Sequence, residues 1–169
     1  MGLDITAYKK VKLVKAAKRR GAHNWDDPLC DTDDHSYLDD RNYPEQADGL
    51  KAGIYKLLGK PFGFHAGSYT GYNAWREWLA ELVDATPEEL WNARGAAKAR
   101  ARLTPFYALI AFSDCEGFIG PKTSAKLVKD FDAFARKAKK SGRDYEMAVF
   151  KDFRKAFRIA AKGGIVEFH

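Results

Sequence analysis

With 169 residues the chain has the length of one domain, and its 46% hydrophobic residues supply enough apolar surface for a core. Cys30 and Cys115 show no CxxC or Cys/His spacing, which excludes a zinc motif and a disulfide framework, and no stretch approaches the ~20 apolar residues of a membrane span. We therefore expect a single cytoplasmic domain over residues 1–169, without a metal, a cofactor or a membrane contact.

The net charge of +6 is distributed unevenly along the chain. Residues 1–20 carry seven Lys/Arg against one acidic residue, whereas residues 21–50 carry nine Asp/Glu against Arg41. The acidic part, at about residues 21–49, is rich in Asp, Asn, Pro and Gly and predicts a long loop, which we call the acidic insert. The basic remainder favours an anionic partner.

Strand patterns occur near both ends of the chain and in one central region. The alternation of apolar residues over residues 3–13 predicts a first strand with one buried face. Apolar runs at residues 54–58 and 62–64, separated by a Gly-Lys-Pro turn, predict a hairpin. Residues 165–168 predict a strand that returns beside the first one.

Apolar residues spaced three and four apart predict helices in the rest of the chain. Thr86, Pro87 and Glu89 have the spacing of a capping box with proline at the first helical position. Together these patterns predict an α+β fold whose helices pack on one small, mainly antiparallel sheet of N-terminal, hairpin and C-terminal strands. The predicted helices begin near Asn73, Thr86, Thr104, Pro121 and Asp144.

The polar segment at residues 67–76 is not required by core packing. It gathers hydroxyls, aromatic rings and one arginine between a predicted strand and a predicted helix, where free helix amides favour an anion. Arginine would bind a phosphate or carboxylate bidentately and an aromatic ring would stack on the ligand. The alternative is a capping turn whose aromatic residues enter the core. The candidate ligand-binding residues here are Ser68, Tyr69, Tyr72, Trp75 and Arg76.

A second polar segment, residues 112–124, lies between two apolar helices. It lacks the spacing of a nucleotide-hydrolase phosphate loop, but the predicted helix start offers free amides with Lys122 and Thr123 as anion contacts. The same segment contains the candidate catalytic residues, which would be an acid and base pair with a thiol nucleophile, although no histidine is near in sequence. The alternatives are ordinary capping and solvated surface. These candidates are Asp114, Cys115 and Glu116.

The charged segments suggest further partners. The acidic insert lacks the spacing of an EF-hand loop, so we interpret it as a solvated loop, which would alternatively mimic nucleic acid or compete with it for the basic face. The basic faces of residues 96–102 and 122–140 are candidate phosphate contacts without a recognition-helix or single-strand motif, which makes nucleic acid a weaker candidate.

Five parts of the sequence resemble a family of small uncharacterised proteins encoded by bacteriophages and prophages. The resemblance spans most of the chain and implies a setting, the cytoplasm of a bacterial host cell, but no activity. Many such accessory proteins counter host defences by binding a host protein or a nucleotide signal. The matching parts are residues 1–5, 67–76, 112–117, 119–121 and 168–169.

Three functional hypotheses follow from these observations. The leading one is a phage accessory protein that binds an anionic nucleotide-like ligand, sequestering a host defence signal. The first alternative is a nucleotide-cleaving hydrolase that uses Asp114 and Glu116. The second is a protein-interaction module that inhibits a host protein, in which case deletion of residues 24–47 would leave the fold intact. Each is compatible with a homo-oligomer.

Overall fold

The computed structural model describes residues 2–17, 27–39 and 41–169, and these residues form an α+β fold, as predicted. They contain a short 3-10 helix, six α-helices and seven strands in two antiparallel sheets. The strands are β1 (Gly2–Tyr8), β2 (Lys10–Ala16), β3 (His35–Leu38), β4 (Gly53–Leu58), β5 (Phe62–Ser68), β6 (Gly117–Ile119) and β7 (Ile165–Phe168). The helices are α1 (Tyr69–Glu81), α2 (Pro87–Asn92), α3 (Gly95–Ala101), α4 (Tyr107–Ile110), α5 (Pro121–Ser141) and α6 (Asp144–Ala160).

The larger sheet has four strands in the order β5-β1-β7-β6. Alternation in β1 buries Leu3, Ile5 and Ala7 against the helices, as the period of two requires. The Asp4 amide donates to the His169 carbonyl at 2.8 Å, and the His169 amide returns a bond of 3.0 Å to the Asp4 carbonyl. The predicted pairing of the C-terminal strand with the first strand is therefore confirmed.

A second sheet of three strands, in the order β2-β4-β3, contains the rest of the predicted strand residues. The alternation over residues 3–13 belongs to two strands, because the chain bends at Lys9 and passes from one sheet to the other. The strands of the predicted hairpin also separate, since β4 pairs with β2 while β5 pairs with β1. The strands therefore form two small sheets instead of one.

The described part of the acidic insert belongs to the fold. Strand β3 pairs with β4, and Leu38 and Ala47 are buried in a small core between the two sheets, beside Phe118 and Ile165. Deletion of residues 24–47 would open this core, so the structure contradicts the expectation that the fold would survive it. Residues 18–26 and Asp40 lie outside the described residues.

The main core lies between the four-stranded sheet and helices α1, α4, α5 and α6. Phe153 is at its centre, with ring centroids 4.9 Å from Trp75 and 5.0 Å from Phe64. The predicted capping box is present, because Thr86 and Glu89 accept bonds from each other's amides. Among the described residues, none of the helices combines the length and the apolar character that a bilayer crossing requires.

A carboxyl group on β7 links the two sheets. The Ser36 hydroxyl of β3 donates a hydrogen bond of 2.5 Å to Glu167 Oε1. Burial raises the pKa of the Glu167 carboxyl, and the Ser36 hydroxyl and the charge of His169 only partly offset this effect. Because the pKa of Glu167 is higher in the native state than in the unfolded state, the unfolded chain loses its proton at a lower pH. The free energy of unfolding therefore falls as the pH rises.

We expect this stability loss to disappear in Glu167→Gln. The contribution of Glu167 is complete below the unfolded-state pKa of about 4.3 and is lost as the pH rises through the higher native pKa, by about 1.4 kcal/mol per unit of separation. The free energy of unfolding of Glu167→Gln, minus that of the wild type, should therefore increase with pH in urea titrations from about pH 4 to pH 8. Ser36→Ala removes a group that lowers the pKa of Glu167. This variant should therefore lose more stability with rising pH than the wild type does. A difference independent of pH would contradict the prediction.

Candidate functional site

Arg76 on α1 connects the two polar segments that the sequence analysis selected. Its side chain is 4% exposed. Nη1 donates to the carbonyls of Phe112 at 2.6 Å and Ile110 at 3.1 Å, while Nη2 donates to Asn73 Oδ1. Nη2 also lies 3.6 Å from Asp114 Oδ2. Residues 67–76 and 112–116 are therefore adjacent in space.

The guanidinium of Arg76 is enclosed by two aromatic rings. Its carbon lies 5.0 Å from the centroid of Tyr72 and 5.2 Å from that of Trp91. Burial raises the pKa of the Tyr72 phenol, so the ring facing the guanidinium is neutral. Among the described residues, Arg76 Nε has no hydrogen-bond partner. The other buried contacts of Arg76 support the backbone at Ile110 and Phe112 and the ring of Trp91.

The aromatic candidates of the first segment lie inside the protein. Tyr72 and Trp75 are fully buried and stack with a centroid separation of 5.8 Å, and Trp75 Nε1 donates to the Glu146 carbonyl at 3.1 Å. Neither ring presents a face to a ligand, which corresponds to the alternative in which they enter the core. Ser68 caps α1 by accepting from the Gly71 amide at 3.1 Å. Tyr69 is partly buried against the main core.

The N-terminus of α5 holds a carboxylate from the acidic insert. Asp48 accepts from the Thr123 amide and the Thr123 hydroxyl, both at 2.8 Å. This internal anion occupies the position that the sequence analysis assigned to an external one, because the free amides of a helix start stabilise any nearby negative charge. Thr123 thus fastens the insert to the fold, and the neighbouring Lys122 is exposed.

The candidate catalytic residues form a turn beside Arg76. Ser113 Oγ accepts from the backbone amides of Cys115 at 3.2 Å and Glu116 at 3.0 Å. The side-chain Nδ2 of Asn73 donates to Asp114 Oδ2 at 3.1 Å. Cys115 and Glu116 are exposed, and all three candidates line one hollow. Its chemistry is that of two carboxylates and a thiol near a buried guanidinium.

This hollow is part of an open groove. It has a volume of about 450 Å³ and adjoins a second hollow of about 440 Å³, and the two share Asn42, Tyr43, Trp91 and Ala111 as lining residues. We call the two hollows together the Trp91 groove. Its second half is also lined by Arg94, Lys98 and Tyr107.

The predicted site residues did not include Trp91, Tyr43 or Arg94. The ring centroid of Tyr43 lies 4.4 Å from that of Phe112, and burial raises the pKa of the Tyr43 phenol. Trp91 is 44% exposed. A signal was present, because Trp91 is a large aromatic residue in a stretch otherwise rich in Ala, Lys, Arg and Glu, where few apolar neighbours could cover it.

Comparisons with protein-family models, with curated proteins and with solved structures found no match to this chain. In the part of the chain that the structure describes, no group of three or more His, Cys, Asp or Glu side chains is placed to hold a metal ion. The geometry and charge of the Trp91 groove are therefore the features that indicate a function.

Proposed function

We propose that the Trp91 groove binds an anionic, nucleotide-like ligand. The observation that carries this proposal is the fixed and exposed ring of Trp91. Its indole Nε1 donates to the Ile110 carbonyl at 2.8 Å, and one side of the ring is supported by the Arg76 guanidinium. A ring that is already held in place can stack on a nucleobase with little further loss of side-chain entropy.

Positive charge beside this ring supports an anionic ligand. Arg94 Nη1 donates to the carbonyls of Trp91 at 2.8 Å and Ala93 at 3.0 Å, which keeps the guanidinium near the indole. Among the described residues no carboxylate lies within ion-pairing distance of Arg94, so its charge is available to a phosphate. Lys98 lines the same hollow. An aromatic platform next to such cations matches the two parts of a nucleotide.

The roles of the candidate residues change under this proposal. Trp91 and Arg94 contact the ligand, whereas Arg76 positions Trp91 from beneath. The resemblance to phage-encoded proteins supports a bacterial cytoplasmic setting, in which the ligand is a host nucleotide signal that the protein sequesters.

Trp91→Ala is expected to weaken nucleotide binding by about tenfold or more, because stacking on an aromatic side chain contributes about 1–3 kcal/mol per base. The measurement is isothermal titration of wild-type and variant protein with a panel of mononucleotides, dinucleotides and short oligonucleotides. Leu103→Ala is the matched control, since it removes another strongly exposed apolar side chain and should leave binding unchanged. Absence of binding across the panel by the wild-type protein would refute the proposed function.

A further inference from the structure

A row of three cations extends from Trp91 along α3. Arg94 is the N-cap residue of α3, Lys98 lies within the helix and Arg102 is its C-cap residue. Residues four apart on a helix share one side of it and are separated by about 6 Å along the axis. Arg94 and Lys98 line one hollow, while Lys98 and Arg102 share Glu45 as an ion-pair partner. We call these three residues the cationic row.

The spacing of the row favours one class of nucleotide. The phosphates of a nucleoside triphosphate share bridging oxygens, so they cluster and would leave most of the row unoccupied. Successive phosphates of a nucleic-acid strand are separated by a sugar, advance by about 3.4 Å along a duplex axis, and lie farther apart when the bases are unstacked. Cations about 6 Å apart therefore fit the phosphates of an extended single strand.

The position of Trp91 agrees with this assignment. Proteins that bind single strands without sequence preference combine a basic track along the backbone with aromatic rings on which bases stack. Trp91 provides such a ring at the Arg94 end of the row. It lines both hollows of the Trp91 groove and shares one of them with Lys98. A base on Trp91 would direct its 3′ or 5′ phosphate toward Arg94.

We infer that the ligand of the Trp91 groove is a single-stranded oligonucleotide, with a base on Trp91 and successive phosphates on Arg94, Lys98 and Arg102. This inference rests on the proposed function and specifies its ligand class.

Glu45 of the acidic insert competes with this ligand. Its Oε1 lies 3.9 Å from Lys98 Nζ and forms a close ion pair with Arg102. Both cations are about half exposed, so this ion pair adds little to stability and can be exchanged for a phosphate contact. An incoming strand must displace Glu45 from two of the three cations. Neutralising Glu45 should therefore strengthen binding, an effect opposite to that of most substitutions in a binding site.

The test is fluorescence anisotropy with a labelled oligothymidylate of about eight nucleotides, competed by thymidine monophosphate. We expect the oligonucleotide to bind at least about tenfold more tightly than the monophosphate, with a slope of log affinity against log salt of about −2 for three phosphate contacts. The double variant Lys98→Ala/Arg102→Ala should reduce that slope to about −0.7. Glu45→Gln should tighten binding by about threefold or more. Asp132→Asn disrupts the ion pairs of Asp132 with Arg154 and Arg158 elsewhere on the surface, and it should leave both the oligonucleotide affinity and the salt slope unchanged.

The possible failures are distinguishable. If the monophosphate binds as tightly as the oligonucleotide, and Trp91→Ala weakens both, the proposed function stands and the oligonucleotide assignment is wrong. If the salt slope is the same in Lys98→Ala/Arg102→Ala as in the wild type, the cationic row does not contact phosphates. If Glu45→Gln weakens oligonucleotide binding, Glu45 is not a competitor. If neither thymidine probe binds but a mononucleotide or dinucleotide of the panel does, the proposed function stands and the oligonucleotide assignment is wrong, whereas absence of binding by every probe refutes both.

Discussion

Arg76→Met is expected to lower the free energy of unfolding by about 1–3 kcal/mol, the cost of leaving a buried hydrogen-bonding group without its partner. Methionine fills much of the space but donates no hydrogen bond, so the Phe112 carbonyl loses its donor, whereas the Ile110 carbonyl keeps the bond from Trp91 Nε1. Asp114 loses its cationic neighbour at the same time. Urea unfolding followed by circular dichroism measures the loss, and the slope of the transition should stay near the wild-type value.

The matched control for this prediction is Arg154→Met. Arg154 is partly exposed on α6 and pairs with Asp132 at the surface, so its replacement should cost less than about 1 kcal/mol. If the two arginine variants lost equal stability, Arg76 would not be holding the polar segments together. The Arg76 variant should also bind nucleotides more weakly at protein concentrations where it remains folded, because the ring of Trp91 loses its support.

Gly164→Ala is expected to destabilise the protein by at least about 3 kcal/mol, above the usual cost of overpacking because backbone atoms must move. A Cβ atom at Gly164 would lie 1.7 Å from the carbonyl oxygen of Tyr8 and 2.7 Å from the carbonyl carbon of Lys9. These atoms belong to the bend where the chain leaves the four-stranded sheet for the three-stranded one. Thermal unfolding and the yield of soluble protein would reveal the change.

Gly63→Ala provides the control for the glycine prediction. Gly63 is exposed on β5, and a Cβ atom there would lie 3.7 Å from the Ile5 carbonyl oxygen, an ordinary contact distance. Its replacement should alter stability by less than about 1 kcal/mol, since alanine also restricts the unfolded chain. Similar losses in the two alanine variants would mean that the bend accommodates a side chain at Gly164.

Local signals predicted much of the fold. The helix expected near Asp144 begins at that residue, and proline opens α5 at Pro121, because caps and apolar periodicity are encoded within a few residues of each helix end. The bend at Lys9 left no such signal, because the alternation of apolar residues continues through it. The β3 strand also escaped prediction, since four residues in an acidic segment carry too short a pattern.

The candidate site was predicted less completely. The two polar segments were selected because core packing does not require them, and Arg76 does connect them. Tyr72 and Trp75 were predicted to stack on a ligand, but both are buried, whereas Trp91 is exposed. Exposure depends on which neighbours arrive from distant parts of the chain, so a helical period alone does not indicate which aromatic ring remains uncovered.

The enclosure of β1 between β5 and β7 has a consequence for biosynthesis. The side chains of Thr6 in β1 and of His169, just after β7, lie 2.9 Å apart. The two residues are nevertheless separated by 163 positions in the sequence. At a translation rate of about 5–20 residues per second, β1 leaves the ribosome roughly 8 to 30 s before β7. The β1–β5 pair can form during that interval, but one edge of β1 stays open until β7 arrives. The nascent chain therefore exposes an unpaired strand edge, and a chaperone that covers it would raise the yield of native protein.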